Sequence, residues 1–243
     1  MLKRASKIVE IVPDDHLETL RRCGGYYKCP KSPDGERLGP LVGYAGTYGE
    51  EGRHYVGDVY FNFAKAEVFP HVLNLFAITL ARRFRAQSIK VDCIMAAPMG
   101  GLAFGFALAC RLDRRFIFAE KKVMAVATIG SREESKLELS RHELPDGANV
   151  VLVEDVCNNF STTAKARALI EAAGAHLIGL ACELNRSPEI TWEGLPVISL
   201  LHIPTEQYRQ DDPKVAADIA ASNVAWKPKN EWERLMTAMS SAR

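Results

Sequence analysis

Two adjacent carboxylates, Glu154 and Asp155, close an apolar run, Val150-Val151-Leu152-Val153. A turn of short hydroxyl and amide side chains follows, Asn158-Asn159-Phe160-Ser161-Thr162. The run is short enough for a strand and too continuous for one solvated face, which predicts a central buried strand. Ala-rich sequence from about Ala164 to Ala173 predicts a helix, and Gly174 stands where a helix stop belongs. Ligands of open α/β sheets bind beyond the carboxyl ends of such strands. A helix start offers N–H groups without intrahelical partners, which suits a phosphate. Paired acids beside it suit sugar hydroxyls or a magnesium ion that keeps its waters. The stretch reads as a site for a phosphorylated sugar. Its plain alternative is an acid pair that closes a strand and a Ser161 or Thr162 that caps a helix.

The elements that would position this stretch lie on both sides of it. Val68 to Arg85 carries Val72, Leu75, Phe76, Thr79, Leu80 and Phe84 at helical spacing and predicts a core-facing amphipathic helix. A strand from Val91 leads into Ala97-Pro98-Met99-Gly100-Gly101 and then an apolar helix from Leu102 to Leu112. Arg115 to Ala119 predicts a short strand, and the charged segment from Glu120 to Leu144 suits a flap or a two-stranded ribbon. After the central helix, His176 to Cys182 predicts the next parallel strand through a right-handed crossover, and Leu195 to Ile203 a last one.

The order of apolar run, acid, acid and turn resembles the PRPP-binding motif of type I phosphoribosyltransferases, four apolar residues followed by E/D-D-V-x-T-T-G-G-T/S. Val150 to Val156 matches position for position. Asn158 and Asn159 stand at its two threonines, Phe160 and Ser161 at its two glycines, and Thr162 at the final Thr/Ser. Ala97 to Gly101 is similar to the family's G-P-x-x-G-G loop, which binds pyrophosphate through backbone N–H groups. Three further stretches resemble orotate phosphoribosyltransferases. Thr47 to Phe63, with Gly52-Arg53 and Tyr60-Phe61-Asn62, is similar to their hood. Glu120-Lys121-Lys122 stands at their R-K-x-x-K-x-H-G flap, with Lys121 on the first lysine, Glu120 on the arginine and Met124 on the second lysine. Glu183-Leu184-Asn185-Arg186 resembles their strand ending in D-R, whose arginine meets the orotate carboxylate; a planar guanidinium suits a planar acid. Arg132, Lys136, Arg141 and His142 could supply flap charge, a solvated face being the plain alternative.

The resemblance implies an α/β fold, a mainly parallel sheet flanked by helices with an N-terminal hood. Its parts would be a hood at 1–65, a core at 66–205 and a helical tail at 206–243. It implies pentosyl transfer from PRPP to a nitrogen base, orotate favoured, with release of pyrophosphate. Catalytic roles fall to Asp155 and Lys121. PRPP would be held by Glu154, Asp155, Asn158, Asn159, Ser161 and Thr162 and by Pro98, Met99, Gly100 and Gly101, and the base by Arg186 and Phe61. Magnesium would arrive carried by PRPP, with no metal site in the protein, and the assembly would be a homodimer. Two alternatives stand beside this: a related regulatory protein that holds a nucleotide or PRPP without turnover, and a purine phosphoribosyltransferase.

Composition narrows the classes. The chain has 243 residues and a formal net charge of +1, which gives no electrostatic case for nucleic acid. Cysteines at 23, 29, 93, 110, 157 and 182 are scattered, as in a reducing compartment, and predict a cytoplasmic protein. Cys23 and Cys29 could pair or share a metal, but no second pair at zinc-finger spacing accompanies them. No apolar run has the length of a membrane span, and none near the N-terminus reads as a signal peptide. Trp226 and Trp232 near Pro228 read as packing anchors.

Overall fold

The computed structural model describes residues 9–12, 14–50, 52–125 and 134–241. In chain order the first half contains α1 (His16–Arg22), β1 (Tyr26–Lys28), β2 (Leu41–Tyr48), β3 (Arg53–Gly57), β4 (Val59–Phe61), α2 (Ala64–Glu67), α3 (Pro70–Ala86), β5 (Cys93–Ala96), α4 (Gly101–Leu112) and β6 (Arg115–Phe118). The second contains β7 (Glu120–Ala125), β8 (Glu134–Glu138), β9 (Asn149–Cys157), α5 (Ser161–Ala172), β10 (His176–Asn185), β11 (Thr191–Trp192), β12 (Leu195–His202), α6 (Ala216–Ala220), β13 (Val224–Ala225) and α7 (Trp232–Ser241). They fall into two compact units, one of residues up to Thr19 with Ala66–Pro204, the other of Leu20–Lys65 with Thr205–Arg243.

The first unit is built on a six-stranded sheet in the order β11-β12-β10-β9-β5-β6. Its strands are parallel except β11, which pairs antiparallel with β12. The fold is α/β, as the sequence predicts. Continuous apolar runs make its centre: Val150, Val151, Leu152 and Val153 are wholly buried, as a strand covered on both faces requires. The amphipathic stripe on α3 buries Val72, Phe76, Ala77, Leu80, Ala81 and Phe84. Helix α5 ends as expected: Gly174 adopts φ +76, and its N–H donates to the Glu171 carbonyl (3.0 Å). A side chain there would meet Asp146, which excludes anything larger than glycine.

The central strand is longer than its apolar run. β9 continues through Glu154 and Asp155 to Cys157 because β10 supplies partners that far, pairing Leu184 with Val156 and Asn185 with Cys157. The acids therefore sit inside the last turn of pairing instead of beyond it. The segment after β6 forms the antiparallel ribbon β7–β8, with Lys121 opposite Leu137. Arg132 and the Met124 side chain lie outside the described residues.

The second unit departs from its local sequence pattern in two places. Residues 23–53 read as loops and short edge strands without a core, yet Tyr27, Leu41 and Val42 are wholly buried. They gain that burial from the other end of the chain: β13 pairs in parallel with β2, and Trp232 and Leu235 pack with Tyr27, Cys29, Val42 and Tyr44. The apolar and aromatic stretch from His54 to Phe63, which reads as one strand, forms two. β3 pairs with β2, β4 with β1, and the break falls at Asp58, whose carboxylate meets Arg37 (2.6 Å) and Lys31 (2.8 Å). Trp232 is an anchor, its indole N–H donating to the Gly24 carbonyl (3.0 Å), while Trp226 lies over Gly43 with nearly half its surface exposed. Among the described residues no helix is long and apolar enough to cross a membrane.

Candidate functional site

The carboxyl ends of β5, β9 and β10 gather most of the predicted site residues of the first unit. Parallel pairing of β5 with β9 aligns Ala96 with Val153, and the Ala97 N–H donates to the Val153 carbonyl (2.9 Å). The chain turning out of β5 is thereby brought against the acid pair. A Cβ added to Gly100 would lie 2.3 Å from Cγ and Oδ2 of Asp155. One added to Gly101 would lie 2.3 Å from the Val153 carbonyl oxygen. Both glycines are required by close approach.

The turn at 97–101 offers donors. The Gly101 N–H is taken by the Ala97 carbonyl (3.2 Å), but among the described residues those of Met99 and Gly100 have no backbone acceptor. Met99 is largely exposed, and the Pro98–Met99 peptide is cis.

The two acids differ in surroundings. Asp155 Oδ1 accepts the Val156 N–H (2.9 Å), which orients the carboxyl beside Gly100. Glu154 is half-buried. Burial, and then the neighbouring Asp155 charge, push its carboxyl up to about 8, so at neutral pH it holds a proton.

The turn beyond β9 opens onto α5. Asn159, one residue before the N-cap Phe160, accepts at Oδ1 from the Ser161 N–H (3.4 Å) and the Ser161 hydroxyl (3.2 Å). Among the described residues the N–H groups of Thr162 and Thr163 have no backbone acceptor, the ordinary condition of a helix start and a seat for an anion. Phe160 takes the left-handed region, φ 55 and ψ 20, which a glycine would enter more easily. Its ring stacks on Trp192, centroids 6.0 Å apart, and packs on the core under α5. The aromatic ring is thus held by β11.

Arg186, just past β10, is buried, and its N–H donates to the Cys157 carbonyl (2.8 Å). Asn185 is occupied structurally: its Oδ1 accepts from Ser187 N–H and Oγ, and its Nδ2 donates to the Glu189 carbonyl (2.7 Å). Lys121 is exposed on the ribbon, where Glu120 pairs with Arg141 (2.8 Å) and Lys122 and Lys136 with Glu138. Phe61 belongs to the second unit. It is buried in β4 with its ring edge towards Tyr26, centroids 5.2 Å apart.

Sequence reasoning passed over Glu183. It is wholly buried in β10, and among the described residues neither carboxyl oxygen has a hydrogen-bond partner. Its signal was an acid inside an otherwise apolar strand, a placement avoided without compensation. Among the described residues no group of three His, Cys, Asp or Glu side chains could hold a metal ion. Cys29 donates its thiol to the Gly39 carbonyl (3.1 Å).

An acid pair at the end of a parallel strand, a glycine turn against it and an open helix start define a type I phosphoribosyltransferase fold. Residues 72–190 match the family described as Phosphoribosyl transferase domain. An orotate phosphoribosyltransferase of Sulfurovum sp. (strain NBC37-1) is 34% identical over 128 residues, covering 52% of this chain and 58% of the relative. One from Caldanaerobacter subterraneus subsp. tengcongensis is 25% identical over 162 residues, covering 66% of this chain and 77% of the relative. The first of these matches spans less than two thirds of the relative. The crystal structure of orotate phosphoribosyltransferase from Aeropyrum pernix superposes with a TM-score of 0.52 at 18% identity, over 76% of this chain and 92% of that one.

Proposed function

We propose that the protein transfers the phosphoribosyl group of PRPP to a ring nitrogen of a base, orotate favoured, with release of pyrophosphate. The base nitrogen bonds to C1′ as the bond from C1′ to the pyrophosphate oxygen breaks, through an oxocarbenium-like transition state. Such catalysis consists mainly of positioning and charge stabilisation. The observation that carries the reading is the contact of Asp155 with Gly100. It joins a carboxylate able to accept sugar hydroxyls to a turn able to donate to pyrophosphate.

In this reading Glu154 and Asp155 hold the ribose hydroxyls, Glu154 as a donor while protonated. The amides and side chains of Asn158, Asn159, Ser161 and Thr162 seat the 5′-phosphate. Met99 and Gly100 face pyrophosphate with their N–H groups, while Pro98 and Gly101 shape the turn. Lys121 neutralises charge growing on the leaving group, and Arg186 meets an acidic base. Magnesium carried by PRPP would supply further neutralisation. Phe61 stays the candidate on the second unit for the face of the base. A homodimer in the cytoplasm is the assembly and compartment we assign to it.

Incubation with PRPP, magnesium and a panel of bases, followed by pyrophosphate release, tests the reading. Release with orotate is expected. Release only with purines would move the substrate, and intact PRPP binding without release with any base would favour a regulatory protein.

A further inference from the structure

Parallel pairing of Cys182 with Glu154 and of Leu184 with Val156 sets Glu183 beside Asp155 on the next strand. Residues so paired leave the same face of a sheet, their backbones about 4.8 Å apart. On this face the Asp155 carboxyl meets Gly100 at the start of α4. Glu183 is wholly enclosed, and among the described residues its two oxygens have no hydrogen-bond partner. The titratable groups that face it are Asp155 from β9, Glu67 from α2 and the Cys182 thiol on β10 itself. All are acids, so none of them offsets a charged Glu183.

We propose that Glu183 is a positioning residue for the pentose site: it stays uncharged beside Asp155, leaves the strand end with one negative charge instead of two, and so lets Asp155 accept ribose hydroxyls close to an anionic ligand. Two carboxylates directly opposite on neighbouring strands repel, and in an enclosed site one of them keeps its proton. Burial, then Asp155, then Glu67 hold the Glu183 carboxyl well above the ordinary range, in the same sense. A leucine or valine would pack this position without charge; the acid makes the site respond to pH. The inference rests on the phosphoribosyl reading for its ligand, and on strand register alone for the carboxyl pair.

The test compares the full-length protein with Glu183→Gln, which keeps shape, and Glu183→Leu, which keeps burial should the amide variant misfold. Without ligand, the unfolding constant of the wild type is expected to rise with pH relative to Glu183→Gln from the ordinary carboxylate range upward, by at most about tenfold per pH unit. The group is protonated more readily when folded, so its stabilisation is present at low pH and lost as pH rises. In an Asp155→Asn background that difference shrinks. With ribose 5-phosphate as probe, affinity of the wild type falls with rising pH more steeply than that of Glu183→Gln. Parallel pH profiles in both measurements overturn the proposal. Absence of ribose 5-phosphate binding at every pH overturns the phosphoribosyl reading, and the ligand role of Glu183 with it, while the ligand-free profiles still report the carboxyl pair.

Discussion

The Asp155 carboxyl lies against the Cα of Gly100 so closely that a methyl group there would come within 2.3 Å of its Cγ and Oδ2. Two stretches far apart in the chain thereby share one wall. Gly100→Ala must displace the carboxyl, which the Val156 N–H holds in place (2.9 Å). Ribose 5-phosphate affinity is expected to fall about tenfold, or 1.4 kcal/mol, with little loss of stability. Gly101→Ala instead meets the Val153 carbonyl at 2.3 Å and has only backbone to push against. It is expected to cost about 1–3 kcal/mol of stability. Calorimetric binding and urea unfolding of both variants separate the two effects.

Phe160 departs furthest from the family motif and carries a cost and a return. Its left-handed backbone, φ 55, costs a non-glycine residue about 1–2 kcal/mol, while its ring stacks on Trp192 and covers core. Phe160→Ala keeps the strain and loses the packing; Phe160→Gly loses both. Urea midpoints should therefore order wild type above Phe160→Gly, and Phe160→Gly above Phe160→Ala.

In the second unit, Arg37 joins Asp58 (2.6 Å) to Asp218 (3.1 Å), with its side chain only 12% exposed. Arg37→Ala leaves two largely enclosed carboxylates facing each other. It should cost about 1–3 kcal/mol, less than a fully buried pair because some solvent remains. Burial raises the Asp58 carboxyl, but hydrogen bonds from Arg37 and Lys31 outweigh it and hold the group below its ordinary value. Its contribution is present above the ordinary carboxylate range and lost as pH falls through the lowered value. The stability gap between wild type and Asp58→Asn should close on acidification below about pH 4.

Glu154 has the opposite sign. Burial, and then Asp155, raise its carboxyl to about 8, so the stability it confers is complete at acid pH and lost as pH climbs towards 8. Glu154→Gln should match the wild type at acid pH and melt higher at pH 8. A melting-temperature series against pH checks it, and curves that stay parallel throughout would contradict it.

What could be read from the chain was what rests on local pattern. Val150 to Val153, the stripe from Val72 to Phe84 and the stop at Gly174 each announce an element through neighbours a few residues away, and each is where the sequence placed it. What could not be read depends on distant partners. β9 runs on to Cys157 because β10 pairs that far, and Leu41 and Val42 are core because β13, near the other end, pairs with β2. Asp58 breaks a strand because Arg37 and Lys31 draw its carboxylate. The acid pair and the glycine turn were legible as motifs; their contact was not, since only the pairing of β5 with β9 brings them together. Glu183 was hidden for the same reason, its meaning lying in the strand beside it.

The central claim is that Asp155 faces a pentose whose phosphate sits at the start of α5. Titration of ribose 5-phosphate into the wild type and Asp155→Asn tests it most directly. Saturable binding by the wild type, weakened about tenfold or more by Asp155→Asn with the fold intact, is the predicted result. Equal affinity in the two proteins, or no binding by either, would contradict it.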